Sequence, residues 1–489
     1  MKLTALLSDI VTLTSDCEIG GLSLDSRKVT SGDLFIALNG ALQHGIKHLD
    51  QAIENGAIAC IYDPQGAQMV EVEAASSSIE TIAISNLSQQ LGEIAARFYA
   101  RPSGKLLVIG VTGTNGKTTC SQLMAQALDD CGVIGTLGWG NPGQLQTTAN
   151  TTPDALAIQQ MLASFVTQGK SAVSMEVSSH GLEQGRVNAV DFKGAVFTNL
   201  SRDHLDYHGD MESYLQAKLA LFINPALQFV VVNLDDPVAM RVLQAVTPEV
   251  KRWTFSTQNQ QIANAECLVS SNVQHHTNGI SFDVCWSGQT ERVNTSLVGA
   301  FNLQNLLSVL AVLLAQGWSL TKAVARLSEL KAVAGRMEKF GGHDKPLVIV
   351  DYAHTPDALE KVLQASQSKR KLWVVFGCGG DRDKGKRPQM GRIAETYADH
   401  VIVTDDNPRT EASDMIISEI LSGCQTDKVN PISDRTIAIT TAIHQAAAND
   451  CVVIAGKGHE NYQEIRGVKT PFSDQLVAQQ ALNTWSSKR

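Results

Sequence analysis

The amino-acid sequence predicts an α/β protein of three domains. Its 489 residues are too many for one compact core. Short apolar runs alternate with helical segments along most of the chain, which is typical of parallel sheets covered by helices. One run leads into a glycine-rich loop at the start of a helix. We expect a small α/β N-terminal domain, a central P-loop ATPase-like domain with a mostly parallel sheet, and a Rossmann-like doubly wound C-terminal domain.

Residues 1–85 are expected to form the first domain. Ser26, Arg27 and Lys28 precede a turn and a strand there, where a serine and two cations could bind a diphosphate or a sugar. Turns of this composition are common, so the residue types alone favour a solvated turn. The predicted strands are Asp33–Leu38, Ala57–Tyr62 and Thr81–Ile84, and the predicted helix is Leu49–Asn55.

Residues 86–333 are expected to form the second domain, entered through a helix at Leu87–Tyr99. Residues 108–119 read VIGVTGTNGKTT and follow an apolar strand predicted from Leu106 to Gly110. A strand, a loop of small residues and a helix opening with lysine and threonine can cradle nucleotide phosphates and Mg²⁺. Val111 replaces the first glycine of the usual pattern. The alternative is an ordinary turn with a surface lysine.

The rest of this domain alternates in the same way. Residues 262–298 differ, because apolar residues there recur at every second position between turns and predict an antiparallel annex. The predicted strands are Ser171–Met175, Gly194–Thr198 and Phe229–Asn233, and the closing helices are Leu303–Ala315 and Leu320–Leu330.

Residues 334–489 are expected to form a doubly wound sheet with ligands at the carboxyl ends of its strands. Polar segments stand at such ends, namely DYAH (351–354), GCGGDRDKGKR (377–387), DDNPRT (405–410) and GKGHE (456–460). The second lacks the spacing of a dinucleotide-binding fingerprint. The predicted strands are Leu347–Val350, Leu372–Phe376, His400–Thr404 and Cys451–Ala455, and the predicted helices are Pro356–Ala365, Gly391–Tyr397, Ser413–Leu421 and Thr436–Ala447.

Composition and charge exclude several classes of protein. A formal net charge of −9 without a basic stripe argues against nucleic-acid binding. Nine cysteines stand singly without a CxxC pair, which favours free thiols in a reducing compartment. The N-terminus does not make a signal peptide, and no apolar run approaches 18 residues. We expect a cytoplasmic monomer that is not inserted in a membrane.

Two candidate metal ligands follow predicted strands of the second domain. Glu176 leaves the end of an apolar strand, as the acidic ligand of a nucleotide-bound metal should. His204 follows another strand, and alone it would more often be structural than a ligand. Because Glu176 and Thr118 stand at neighbouring strand ends, a metal role for His204 is favoured.

Lys218 is a candidate reactive residue. It is predicted to share one face of a helix beginning near Met211 with Tyr214 and Phe222. The residue types leave open whether Lys218 is a snorkelling lysine or a partly buried amine with a lowered pKa, and they favour the first.

Seven motifs in this order resemble the Mur ligases of peptidoglycan synthesis, and the resemblance extends over essentially the whole chain. They are GTNGKTT (113–119), MEVSSHGL (175–182), TNLSRDHLDYHG (198–209), YLQAKLALF (214–222), GAFNLQN (299–305), AGRME (334–338) and DYAHTPD (351–357). DNPR (406–409), with GDRDKGKRP (380–388) and GKGHE, is similar to the branch that adds meso-diaminopimelate to UDP-N-acetylmuramoyl-L-alanyl-D-glutamate.

The resemblance implies ATP and Mg²⁺ as cofactors. It implies that Thr118 and Glu176 bind one Mg²⁺, and that His204 and Lys218 serve a second, with Lys218 carbamylated by CO₂ into an anionic ligand. The implied catalytic residues are Lys117, Glu176, His204 and Lys218. The implied ATP contacts are Gly113, Thr114, Asn115, Gly116, Lys117, Thr118 and Thr119 for the phosphates, Asn302 for the adenine, and Arg336 and Asp351 for the ribose.

The resemblance also implies two small-molecule substrates, a UDP-muramoyl dipeptide and meso-diaminopimelate, joined by ATP-driven amide formation through an acyl phosphate. Leu24 and Ser26 match positions near the uridine. The muramoyl-dipeptide positions are Asn150, Thr151, Thr152, Ser178, Gln184 and Arg186. The diaminopimelate positions are Arg382, Asp406, Asn407, Pro408, Arg409, Gly456 and Glu460.

Two other interpretations stay open at this point. A lysine-adding Mur ligase or a folylpolyglutamate synthetase would share the phosphate loop, but the first should lack DNPR and the second the uridine-site domain. A GTPase switch or a small-molecule kinase would also use the loop. A guanine-specific switch normally carries N-K-x-D, whereas residues 233–236 read NLDD.

Overall fold

The computed structural model describes residues 1–13, 15–40, 43–67, 78–276, 279–367, 370–426 and 428–486. Its helices and mostly parallel sheets confirm the predicted α/β class. Among the described helices, none is long and apolar enough to cross a membrane. The chain divides into two compact units, the first comprising Met1–Gly110, Asp129–Ala195 and Ala220–Leu227, and the second Val111–Leu128, Val196–Leu219 and Gln228–Arg489.

The first unit begins with a four-stranded parallel sheet. Alternate residues of a strand face opposite sides, so Leu34 and Ile36 join one apolar core while Phe35 joins another. In sheet order the strands are Gly21–Ser23, Asp33–Ala37, Ala59–Tyr62 and Glu80–Ala83, and the helices and helical turns are Leu3–Leu6, Ser26–Lys28, Gly45–His48, Leu49–Glu54 and Leu87–Phe98.

The remainder of the first unit places Glu176 at a strand end. Ala172–Glu176 pairs in parallel with Cys131–Gly135, which pairs antiparallel with Gly138–Asn141, and that strand with Gln144–Gln146. The helices and helical turns here are Pro102–Lys105, Ala155–Thr167 and Ser179–Glu183. Two further strands, Leu107–Thr112 and Phe192–Phe197, contribute residues to both units.

The second unit contains the helix after the phosphate loop and a sheet that changes direction. Phe229–Asn233, Lys251–Ser256 and Glu266–His276 pair in parallel, whereas Glu266–His276, Gly279–Trp286 and Gln289–Thr295 form the predicted antiparallel annex. The helices are Lys117–Ala127, Leu205–His208, Met211–Leu219, Ala239–Ala245, Ala300–Ala315 and Leu320–Ser328.

The predicted helical face of Lys218 is partly wrong. The helix that carries Lys218 ends at Leu219, and Phe222 lies in the turn that follows. Pro225 disfavours helical backbone at the residue before it, which helps to explain why the helix does not continue. Tyr214 remains one turn before Lys218 on the same helix.

A doubly wound sheet completes the second unit, as predicted. Val374 packs into the core on one face, and Trp373 and Val375 pack on the other. In sheet order the strands are Glu338–Gly341, Leu347–Asp351, Cys451–Ala455, Leu372–Phe376, His400–Val403 and Val429–Pro431, and all pairs except the first are parallel. The helices and helical turns are Pro356–Ser366, Lys384–Lys386, Arg387–Tyr397, Ser413–Leu421, Arg435–Gln445 and Asp474–Thr484.

Several features of this part of the chain differ from the prediction, beginning with two unpredicted edge strands of the sheet, Glu338–Gly341 and Val429–Pro431. The helix expected from Gly391 begins at Arg387, because Pro388 suits the first turn of a helix. An unpredicted antiparallel hairpin, Tyr462–Ile465 with Val468–Pro471, follows the GKGHE segment.

Candidate active site

The loop before helix Lys117–Ala127 is a tight turn of small residues. Gly113 and Gly116 adopt φ angles of 143° and 88°, which favour glycine. A Cβ on Gly113 would overlap Oγ1 of Thr198. Asn199 fixes the loop, since its carbonyl oxygen accepts the N–H of Thr114 at 2.8 Å and its Oδ1 that of Asn115 at 3.0 Å. Such a loop at a helix N-terminus suits an anionic phosphate.

Two lysines converge on one carbonyl oxygen of this loop. The Lys117 ammonium donates to Gly113 O and Thr114 O, both at 2.8 Å, and Lys218 donates to Gly113 O at 3.0 Å. Lys218 is 1% exposed, and its Nζ lies 4.3 Å from the centre of the Tyr214 ring. Burial and the neighbouring Lys117 lower the pKa of Lys218 well below its usual value. The snorkelling lysine favoured by residue types is therefore wrong.

The carboxylate of Asp203 gathers three basic side chains. Its oxygens lie 3.5 Å from Nε2 of His204, 3.7 Å from Nε2 of His354 and 3.7 Å from Nζ of Lys386. Burial acts to raise the pKa of Asp203, but His354, Lys386 and His204 together hold it well below the usual value. The sequence placed Asp203 beside His204 after a predicted strand, but we assigned Asp203 no ligand role and did not predict that His354 and Lys386 lie near it.

A cavity of about 140 Å³ is lined by three predicted nucleotide residues, Thr119, Asn302 and Arg336. The Arg336 guanidinium donates to Oγ1 of Thr118 at 3.0 Å and lies 4.4 Å from the Tyr352 ring centre. Its Nε is buried and has no hydrogen-bond partner among the described residues. The remaining lining includes Ser296, Leu297, Val298, Ala332, Val333, Met337, Glu338 and Lys339. An apolar slot with an unsatisfied donor fits a nucleotide.

Asp351 is buried, and its carboxylate holds the backbone of Met337, which lines this cavity. Both of its carboxylate oxygens accept backbone N–H groups, from Met337 and from Ala353, each at 2.8 Å. Burial raises the pKa of Asp351, and Arg336 opposes that effect. Asp351 therefore positions the segment that carries Arg336.

Glu176 is fully buried and held in one orientation in the first unit. Its Oε1 accepts the backbone N–H of Thr136 at 2.8 Å, and its Oε2 accepts the Thr136 hydroxyl at 3.0 Å. A Cβ on Gly135 would overlap Oε1 of Glu176. The glycine is thus required for the carboxylate to lie where it does.

Most of the predicted dipeptide residues form one network beside Glu176. The Thr152 hydroxyl donates to Glu176 O at 2.9 Å and accepts the N–H of Ser178 at 2.9 Å. Arg186 joins through Nη1 to Thr152 O at 2.8 Å and through Nε to Oε1 of Gln184 at 3.0 Å. Thr151 is linked by its hydroxyl to that of Thr136 at 3.0 Å, and Asn150 is exposed.

The uridine candidates lie on the N-terminal sheet. Ser26 is 5% exposed, and its hydroxyl donates to Oε1 of Gln51 at 2.7 Å, whereas Arg27 and Lys28 are exposed. The solvated turn favoured by residue types is therefore wrong for Ser26 and correct for the two cations. Leu24 packs against the core of this sheet.

The predicted diaminopimelate residues lie close together in the fold. Asn407 Nδ2 donates to Oε2 of Glu460 at 2.9 Å, and Nη1 of Arg409 donates to Gly380 O at 2.7 Å. The other predicted residues lie against glycines, where an added Cβ would approach them. Gly456 lies against Asp406, and Gly380 lies against Pro408. Gly379 lies beside Arg382 and Arg409.

The unpredicted hairpin supports this pocket. Glu464 accepts the backbone N–H of Arg409 at 3.0 Å and donates its own to Oδ1 of Asn407 at 2.9 Å. Gln463 Nε2 donates to Asp406 O at 2.9 Å. Arg409 has a φ of 53°, in the left-handed region, so these bonds help to hold a strained residue.

Three family models match successive parts of this chain: Mur ligase family, catalytic domain, over residues 18–99; Mur ligase middle domain, over 111–313; and Mur ligase, glutamate ligase domain, over 335–458. The chain belongs to the Mur ligase family. The boundaries that we expect at residues 85 and 333 stay predictions.

Two diaminopimelate ligases resemble the chain over nearly its full length, and a third protein shares its fold over three quarters of it. UDP-N-acetylmuramoyl-L-alanyl-D-glutamate--2,6-diaminopimelate ligase of Pseudomonas aeruginosa is 49% identical over 477 residues, 96% of each chain. A solved structure of an enzyme with that name is 38% identical, covers 95% of each chain and has a TM-score of 0.66. Folylpolyglutamate synthase of Mycobacterium tuberculosis, solved with ADP and AMPPCP, shares the fold at 19% identity and a TM-score of 0.63, over 75% of this chain and 92% of its own.

Proposed function

We propose that this Mur ligase adds meso-diaminopimelate to the D-glutamate γ-carboxylate of UDP-N-acetylmuramoyl-L-alanyl-D-glutamate, driven by ATP, in peptidoglycan synthesis. The observation that carries this proposal is the DNPR segment, in which Arg409 lies beside the glycines of residues 379–380 with its backbone tied to a hairpin. The likeness to the Pseudomonas aeruginosa ligase over 96% of each chain supports it. We also propose that the enzyme acts in the cytoplasm as a monomer on these two small molecules.

The residues of the second unit suit ATP. Residues 113–119 would hold the phosphates, Asn302 would adjoin the adenine, and Arg336 would offer its unsatisfied Nε in the ribose region. We propose Thr118, Glu176, His204 and carbamylated Lys218 as Mg²⁺ ligands. The buried amine of Lys218 fits carbamylation, because a lowered pKa leaves more of it neutral and nucleophilic. Bound Mg²⁺ supplies Lewis-acid stabilisation of charge on the phosphoryl group.

The reaction proceeds in two displacements. An oxygen of the D-glutamate γ-carboxylate attacks the γ-phosphorus of ATP, and ADP leaves. Lys117 offsets the charge that gathers on the transferring phosphoryl group. The diaminopimelate amine, after losing a proton, attacks the carbonyl carbon of the acyl phosphate, and phosphate leaves as the amide forms.

Selectivity follows from the far end of the acceptor. Diaminopimelate carries a second carboxylate there, which lysine lacks. Arg409 offers a planar guanidinium that can bind a carboxylate with two hydrogen bonds. Lysine would leave that guanidinium without the acceptor carboxylate and with only the more distant Glu464, at 3.9 Å, as an anionic partner, at a cost of about 2–3 kcal/mol or roughly a hundredfold in kcat/KM.

Release of phosphate from ATP tests the class of reaction. A ligase of this kind requires both the UDP-dipeptide and the amino acid for release, and omission of either should leave only background. A nucleotide switch would release phosphate with neither, and a kinase would transfer phosphate with one acceptor alone. Either of these results would overturn the proposal.

A further inference from the structure

Lys457, the second residue of the GKGHE segment, lies buried beside the proposed acceptor pocket. Its side chain is 0% exposed, and its ammonium donates to Oδ1 of Asn407 at 3.0 Å and to Oε2 of Glu460 at 2.8 Å. A buried ammonium is unfavourable unless its charge is paired and its hydrogens are bonded. Here the charge is paired with a side chain from the proposed pocket itself.

The two partners of Lys457 also bond to each other. Asn407 Nδ2 donates to Oε2 of Glu460 at 2.9 Å, and Asn407 Oδ1 accepts the backbone N–H of Glu464 at 2.9 Å. These bonds fix which way the Asn407 amide faces. Oε2 of Glu460 therefore receives two donors, whereas Oε1 accepts no hydrogen bond from the described part of the chain.

The hairpin strand Tyr462–Ile465 connects Asn407 to Arg409 through backbone hydrogen bonds of Glu464. Glu464 accepts the N–H of Arg409 through its carbonyl oxygen and binds Asn407 through its N–H. The far end of diaminopimelate carries an ammonium and a carboxylate on one carbon. A carboxylate at Glu460 and a guanidinium at Arg409, held by one strand, supply the two opposite charges that such a centre requires.

We propose that Lys457 is a positioning residue for the amino-acid acceptor. It anchors Oε2 of Glu460, which leaves Oε1 for the acceptor ammonium. It also orients the Asn407 amide, so that Oδ1 faces Lys457 and Nδ2 faces Glu460. This inference rests on the proposed function, because it concerns the acceptor of that same reaction. It assigns Lys457 no contact with the acceptor and no part in phosphoryl transfer.

Lys457→Met tests the inference, since methionine retains much of the side-chain volume and removes the ammonium. Glu460 then loses one of two donors, so KM for meso-diaminopimelate should rise roughly tenfold or more. KM values for ATP and the UDP-dipeptide should stay within about twofold of those of the wild type. Lys469→Met is the matched control, because both lysines lie over the Tyr462 ring, Lys457 at 5.5 Å and Lys469 at 4.4 Å, but Lys469 is exposed.

A double variant separates positioning from simple packing. If Lys457 acts through Glu460, then Lys457→Met combined with Glu460→Gln should bind the acceptor no more weakly than Glu460→Gln alone. Additive losses, or equal rises in KM for all three substrates, would overturn the inference. Should Lys457→Met fail to fold, Lys457→Gln carries the same comparison with an intermediate expected KM.

The wild type separates the two proposals. No turnover of the wild type with meso-diaminopimelate would overturn the proposed function. Normal turnover of the wild type, together with an unchanged KM for meso-diaminopimelate in folded Lys457→Met, would overturn the role of Lys457 alone.

Discussion

The ammonium of Lys218 lies 3.0 Å from the carbonyl oxygen of Gly113, the same atom to which Lys117 donates at 2.8 Å. Two amines that share one acceptor disfavour each other's positive charge, and complete burial disfavours the charge of Lys218 further. A neutral amine can add CO₂, whereas an ammonium cannot. The geometry of the phosphate loop thus favours the carbamylation that we propose.

Lys218→Ala should lower kcat by roughly a thousandfold or more, because an anionic metal ligand would be lost. Phosphate release at saturating substrates measures this. The wild type should also lose activity in buffer freed of CO₂ and regain it with bicarbonate. Lys331→Ala, at an exposed position, is the control. Wild-type turnover by Lys218→Ala would contradict the assignment.

Gly135→Ala should impair catalysis through Glu176. The added methyl group would overlap Oε1 of Glu176 and displace a carboxylate that Thr136 now holds at 2.8 and 3.0 Å. We expect kcat to fall about a hundredfold, approaching the loss in Glu176→Gln. In Gly104→Ala the methyl group would make only an ordinary contact, with Asp191, so its kcat should be unchanged. Equal kcat values for both alanine variants would exclude a catalytic role for Glu176 in this position.

Arg409→Ala should abolish addition of meso-diaminopimelate while ATP binding survives. Loss of a charge-assisted pair predicts a fall of roughly a hundredfold or more in kcat/KM for the amino acid. Equilibrium binding of ATP, measured by calorimetry, should match that of the wild type. Arg466→Ala is the control, because Arg466 is exposed on the adjoining hairpin. Normal turnover by Arg409→Ala would remove Arg409 from the acceptor site.

Regular patterns of sequence predicted the fold well. The alternation after residue 334 predicted a doubly wound sheet, which Val374 and its neighbours confirm by packing on opposite faces. The hairpin at Tyr462–Pro471 was missed because its short strands, YQEI and VKTP, contain no buried residue and show no alternation of apolar and polar residues.

Contacts distant in sequence limited the prediction of the site. Asp203 gathers His354 and Lys386, which lie more than 150 residues away, and no local pattern indicates such a group. Residue types also favoured a snorkelling Lys218, because the acceptor of its buried amine, the carbonyl oxygen of Gly113, lies 105 positions earlier in the chain.

Protonation of His459 should weaken the fold in acid. Burial, then Arg336 and Lys457, lower its pKa from 6.5 to about 3. The unfolded chain therefore gains a proton below pH 6.5 that the folded chain does not, so stability present above pH 6.5 is lost progressively toward pH 3. His459→Phe removes this effect. The stability of the wild type relative to that variant should fall by on the order of 2 kcal/mol between pH 7 and pH 5. Urea midpoints that shift identically in both proteins would contradict it.

The choice of acceptor distinguishes a diaminopimelate-adding ligase from a lysine-adding one. Wild-type enzyme, ATP and UDP-N-acetylmuramoyl-L-alanyl-D-glutamate should be assayed with meso-diaminopimelate and with L-lysine in parallel, and the products identified by mass spectrometry. We predict kcat/KM at least about a hundredfold higher for meso-diaminopimelate, with one amide formed for each phosphate released. Equal or greater kcat/KM for L-lysine, or phosphate release without amide formation, would exclude the proposed function.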